Sequence, residues 1–238
     1  MDEKKNRYLR FSIMICCMFA PSICIAQPAV QVNAGYDYFT KFKIEGAKMG
    51  INISYTRDPN DVQTNALFVL ELNLAALNQT YTLANNGYRT VLLIPSFANS
   101  ISEDLLTLFG TGIASEQVIP ATNNLVIRGM DYSNLFMNLN VGISARSSVV
   151  SYLEPIGENA SCMGTGYVSK STNQQRCLAV EVSFGSGRAL LIIVPRIMTG
   201  RGVNQRMDYG KILPIMDDTI EQLDNMEASR RLIQWFIN

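Results

Sequence analysis

The chain has 238 residues, 47% of them hydrophobic, with 20 basic and 20 acidic side chains and no histidine. The balanced charge gives no electrostatic ground for capture of nucleic acid or of an anionic membrane surface. The missing histidine excludes Ser-His-Asp and Cys-His catalysis, and every zinc, copper or iron site built on imidazole.

In chain order, Lys4, Lys5, Arg7 and Arg10 precede an apolar run from Phe11 to Ala20, which continues past Pro21-Ser22 to Ile25. Cys24-Ile25-Ala26 then supplies small residues before a cleavage point after Ala26. A charged start, a short apolar centre and a small-residue exit make an export signal. The uninterrupted run is too short for a transmembrane anchor, which needs about 20 apolar residues. Residues 1–26 are therefore expected to be a removed signal peptide. Residues 27–238, 238 − 26 = 212 in all, are expected to form one soluble α/β domain, secreted or periplasmic, with no further membrane span. That part holds 20 − 4 = 16 basic and 20 − 2 = 18 acidic residues, a formal net charge of −2.

Tyr36 to Met49 reads as a helix closed by Gly50, and Ile51 to Tyr55 as a strand. Arg57-Asp58-Pro59-Asn60 is a turn, Leu67 to Leu70 a buried strand, and Leu72 to Asn85 a helix closed by Asn86-Gly87. Thr90 to Ile94 is a β-rich run stopped by Pro95. Ser102 to Phe109 reads as a helix capped by Ser102 and ended by Gly110 and Gly112. This alternation implies a mainly parallel sheet flanked by helices. Further strands are expected at Asn124 to Gly129, Ser147 to Leu153, Cys177 to Phe184 and Arg188 to Val194. The last two flank Gly185-Ser186-Gly187 as an antiparallel hairpin. Asp217-Asp218 open a final amphipathic helix with Ile220, Leu223, Ala228, Leu232, Trp235 and Phe236 on its apolar stripe.

Cys16, Cys17 and Cys24 fall in the leader, which leaves Cys162 and Cys177. In an oxidising compartment they are expected to bond, the other possibility being two buried thiols. A bond closing a loop of this length contributes roughly 3 kcal/mol by chain entropy.

The hairpin from Leu178 to Val194, the following loop, Asp224-Asn225 and the helix from Ala228 through Leu232-Ile233-Gln234-Trp235-Phe236 resemble the end of class I glutamine amidotransferase-like domains. The likeness is closest to secreted or periplasmic, non-catalytic relatives. It implies a flavodoxin-like or glutamine amidotransferase-like fold ending in that hairpin and helix. Catalytic members use a cysteine at a strand-to-helix elbow with a histidine and a carboxylate. No residue of this chain matches that set, so the resemblance implies a fold and a binding role.

Other constellations fare no better. There is no Ser-x-x-Lys and no Gly-x-Ser-x-Gly. Gly185-Ser186-Gly187 leads into a strand, so it is not a dinucleotide loop. Glu103-Asp104 and Asp217-Asp218 read as helix-start charges, and Asp208 lacks the spaced acidic run of a calcium site. What stands out is Arg196, Arg201 and Arg206, spread among Gly200, Gly202 and Asn204 between the last strand and the final helix. Ligands of open α/β sheets sit outside the carboxyl ends of the strands, and three guanidinium groups there suit a carboxylate, a phosphate or an acidic protein surface. The expected function is a non-catalytic binding or scaffold domain of the bacterial envelope or secreted space. It needs no cofactor and no metal, and its partner is another envelope or secreted protein. The alternative is a hydrolase working through carboxylates or a metal without histidine.

Overall fold

A computed structural model describes residues 29–34, 40–70, 74–95, 101–117, 124–129, 140–144, 149–167, 175–194 and 225–238. The expected signal peptide, residues 1–26, lies outside these residues, as do Asp208 and Asp217-Asp218.

Five strands form a parallel half: β1 (Ala29–Asn33), β2 (Asn52–Thr56), β3 (Asn65–Val69), β4 (Arg89–Pro95) and β11 (Gly187–Val194), in the order β2-β1-β3-β4-β11. The central strands are apolar throughout because both faces are covered. Ala66, Leu67, Phe68 and Val69 of β3, and Val91 to Ile94 of β4, are at most 2% exposed. The helices that cover them are α1 (Thr40–Lys48), α2 (Leu74–Asn85) and α4 (Asn225–Ile237). A fourth, α3 (Ser102–Phe109), leads from β4 toward the antiparallel half. The chain steps from β1 to β2 in one direction and from β3 to β4 in the other. Right-handed crossovers then place α1 and α2 on opposite faces. The core between the layers contains Phe42, Phe68, Leu77, Leu92 and Phe236, all fully buried. At one border Tyr81, Phe109 and Phe184 meet edge to face, with centroids 5.5 to 5.9 Å apart.

The expectation of a mainly parallel sheet holds for this half alone. The remaining strands are β5 (Thr111–Gln117), β6 (Asn124–Gly129), β7 (Asn140–Ser144), β8 (Val149–Pro155), β9 (Ala160–Tyr167) and β10 (Gln175–Phe184). All of their pairings are antiparallel: β11-β10-β9-β6-β7 in series, with β8 on β10 and β5 on β8. The sheet is therefore mixed. Part of the reason is local: β10 turns into β11 through a connection too short to hold a crossover.

The glycine turns lie where the sequence places them. Gly50, Gly87, Gly110 and Gly185 all have positive φ, and Gly110 is the left-handed cap of α3, donating its N–H to the Leu106 carbonyl. Ser102 behaves differently from expectation. It is the first residue of α3 and makes no cap bond; its hydroxyl exchanges hydrogen bonds with the backbone of Ile113 in β5. The final helix is described only from Asn225, so its expected start at Asp217 lies outside the described residues.

α1 and α4 lie side by side through a buried carboxylate. Glu45, with a side chain 5% exposed, accepts a hydrogen bond from Arg230 Nε at 2.9 Å and another from Lys48 Nζ. The bond from Lys48, then that from Arg230, holds its pKa below the usual glutamate value, while burial opposes them. Arg230 is five residues into α4 and Glu45 five residues into α1 (230 − 225 and 45 − 40).

The expected bond between Cys162 and Cys177 is present, joining β9 to β10 with their Cα atoms 5.9 Å apart.

Candidate functional site

Parallel strands end at a common edge, and here the carboxyl ends of β1, β3, β4 and β11 fall at Asn33, Val69, Pro95 and Val194. The chain leaves β1 and β3 toward opposite sides, so these neighbours form the topological switch point of the sheet. The end of β1 is tied down by polar contacts. Asn33, 4% exposed, donates from Nδ2 to the Thr56 carbonyl at 3.3 Å. The Tyr55 hydroxyl donates to the Ala34 carbonyl at 2.7 Å, and the Lys43 ammonium lies 5.7 Å from the Tyr55 ring centroid. Beyond β2, the carboxylate of Asp58 accepts from the backbone and side-chain nitrogens of Asn60 and fixes the expected turn.

Arg196, Arg201 and Arg206 lie outside the described residues, but both flanks of their segment are described. β11 ends at Val194, in register with Pro95 at the end of β4. The return point follows from the direction of α4. Its last carbonyls face the opposite edge, where Asn65 Nδ2 donates to Phe236 O at 2.7 Å and Arg89 Nη1 donates to Trp235 O. Asn65 and Arg89 open β3 and β4. α4 therefore runs toward the amino ends of the strands, as α1 does, and the Arg230–Glu45 pair sets the two helices in step. Asn225, the first described residue of α4, is therefore at the helix end that faces the carboxyl ends of the strands, the end at which α1 begins with Thr40. The arginine segment thus both leaves and rejoins the described fold on the edge that bears the switch point.

The opposite edge carries a polar cluster that sequence reasoning missed. Besides its bond to Trp235 O, the Arg89 guanidinium carbon lies 5.5 Å from the Trp235 ring centroid. Trp235 Nε1 donates to Glu181 Oε2 at 2.9 Å, and Arg188 Nη1 lies 3.3 Å from Glu181 Oε1. Arg188 and Arg89 are register partners on adjacent strands. Burial first, and then the charge of Arg188, lowers the Arg89 pKa, against the pull of Glu181. The cluster satisfies the terminal carbonyls of α4 and places a cation at the negative end of its dipole, which is a structural task.

Among the described residues no group of three or more histidine, cysteine, aspartate or glutamate side chains could hold a metal, and no helix is long and apolar enough to cross a membrane. Glu103 and Asp104 sit in the first turn of α3 as helix-start charges. Gly185-Ser186 forms the β10–β11 turn, and Gly187 opens β11 opposite Phe184.

No protein-family model and no curated protein matches the chain in sequence. Among solved structures it is similar to a Thermoplasma acidophilum protein assigned as one of the subunits of GMP synthase. The TM-score is 0.52 at 8% identity, over 87% of this chain and 93% of that one. The chain therefore shares a mixed α/β fold with a glutamine amidotransferase-like protein. A second structure, the carbohydrate deacetylase Agd3, aligns at a TM-score of 0.48 and 12% identity, over 70% of this chain and 29% of that one.

Proposed function

We propose that the chain is an exported, non-catalytic binding or scaffold domain of the bacterial envelope or secreted space. Arg196, Arg201 and Arg206 grip an acidic surface of another exported protein. The observation that carries this reading is the position of Val194 and Asn225, both on the edge that holds the carboxyl ends of β1, β3 and β4. Glycines in the segment permit close backbone approach, and the guanidinium groups suit bidentate bonds to carboxylates.

Two facts weigh against amide hydrolysis on this fold. The chain has no histidine, and the disulfide occupies both cysteines outside the leader. The disulfide also favours an oxidising compartment. One exposed arginine pair contributes about 0–1 kcal/mol, so binding requires several acting together on a partly desolvated partner.

The test is capture of the partner from an envelope or secreted fraction, followed by affinity measurement with R196A/R201A/R206A at low salt. The variant is expected to fold like the parent and to bind at least about tenfold more weakly, a loss of about 1.4 kcal/mol. Equal affinity at low salt removes the segment from the site. Glutamine or ester turnover that a single substitution abolishes overturns the non-catalytic reading.

A further inference from the structure

Both ribbons of the antiparallel half branch from one short stretch of the β9–β10 ladder. That ladder has register shifts between Cys177 and Ala179 and between Ala179 and Val180. The inner run, Cys162↔Val180 to Ala160↔Val182, continues through β11 into the parallel half. The outer run spans Thr165↔Cys177 to Tyr167↔Gln175. β8 meets β10 at Cys177↔Leu153 and carries β5 along its whole length. β6 meets β9 at Gly164, Thr165 and Gly166 and carries β7. The ribbon pairings thus gather at the outer run and the irregularity beside it. The disulfide bridges that irregularity, because Cys162 belongs to the inner run and Cys177 to the outer. Both cysteines are half-buried. Beside them the Arg176 guanidinium stacks over Tyr152 of β8, 4.6 Å from its centroid.

We infer that the Cys162–Cys177 bond is a redox-addressable clamp that fixes the β5–β8 and β6–β7 ribbons to the parallel half. β9 carries two glycines and few large apolar side chains, a composition that specifies register weakly, and the covalent tie across the shift holds it. The reductant is a dithiol. One of its thiolates attacks a sulfur of the bond and forms a mixed disulfide, and its second thiolate resolves that intermediate. Cys162 and Cys177 leave as two thiols, having gained two electrons and two protons, and the dithiol leaves as a disulfide. The opening is local, because the core of the parallel half, with Val32, Leu67, Leu77, Leu92 and Phe236, lies on strands and helices the bond does not touch. This inference does not depend on the arginine segment.

Hydrogen exchange of the full chain, before and after complete reduction by dithiothreitol in native buffer, tests it. Amides of 111–117, 149–155 and 163–167 are expected to exchange at least about tenfold faster after reduction. Those of 66–70 and 90–94 should change less than about twofold. C162S/C177S without reductant should reproduce the pattern, which separates the loss of the bond from any other action of the reductant. Unchanged exchange in the ribbons once both thiols react with an alkylating probe overturns the inference. So does equal acceleration in the parallel strands, or a double variant that fails to fold, since either outcome makes the bond a staple of the whole domain.

Discussion

Gly187 is where β11 passes closest to the end of α2, and replacing it with alanine should be among the most damaging single-methyl additions in the molecule. A Cβ built there would lie 1.8 Å from the Ala84 carbonyl oxygen, 2.9 Å from the Ala84 carbonyl carbon and 2.9 Å from the Gly87 Cα. Ordinary contact begins at 3.4 Å, so relief requires 3.4 − 1.8 = 1.6 Å of movement by backbone that no rotamer change provides. Overpacking costs typically about 1–3 kcal/mol, and a backbone obstacle puts Gly187→Ala at or above the upper figure. With a urea m-value of about 2–3 kcal/mol/M, a loss of about 3 kcal/mol lowers the unfolding midpoint by about 1 M or more. Two other glycines calibrate the reasoning. A Cβ on Gly46 meets the Ile53 side chain at 2.3 Å, but that side chain can turn, and alanine favours a helix by up to about 1 kcal/mol. Gly185 has open space around it and pays only for its φ of +60°, about 1–2 kcal/mol as alanine. Urea titrations followed by circular dichroism should rank Gly187→Ala last by a clear margin. A midpoint within about 0.3 M of the parent, or a smaller loss than Gly185→Ala, refutes the close approach of β11 to α2.

The other predictions concern charge. Because the folded pKa of Glu45 is depressed, its contribution to stability is complete above the ordinary glutamate value of about 4.3 and fades as pH falls through the folded value. Between about pH 5 and pH 3 the parent should therefore lose more stability than Glu45→Gln, and parallel curves would remove the pair from the account. Arg89→Met should cost about 1–2 kcal/mol and shift the emission of Trp235, the single tryptophan, as its carbonyl and ring lose their cation. An unchanged spectrum and midpoint would show that α4 is held without Arg89. These expectations stand beside the tests of the arginine segment and of the disulfide clamp.

How far the sequence could be read depended on whether the signal was local. β3, β4, β10 and β11 each contain an apolar run, short in β3, and they fall close to where the runs lie. Ala29–Asn33 escaped notice because it follows directly on the apolar run read as a signal peptide, although Val30 and Val32 alternate inward as an edge-proximal strand requires. β5 and β9 are rich in glycine, serine and threonine, and only their antiparallel neighbours make strands of them. The direction of pairing was beyond reach for the same reason. Ser102 misled because its hydroxyl bonds β5, eleven residues away, rather than its own helix. The Arg89–Trp235–Glu181 cluster joins residues 146 and 54 positions apart, so no window on the sequence contains it.

The two edges of the parallel half divide the labour. At the amino ends of the strands, Asn65, Arg89, Glu181 and Arg188 hold the last turn of α4 and its tryptophan. At the carboxyl ends the same helix begins, and the segment bearing Arg196, Arg201 and Arg206 rejoins the described fold. The position of Asn225, and hence the anchoring of that segment, depends on a lock about 20 Å away, the length of thirteen helical residues. Substitutions in the lock should lower stability, and should weaken partner binding only through the fraction of molecules with α4 released. Substitutions of the three arginines should weaken binding with the midpoint of unfolding unmoved. If Arg89→Met weakens binding far beyond its measured loss of stability, the partner touches the amino-end edge, and the proposed site is on the wrong side of the sheet.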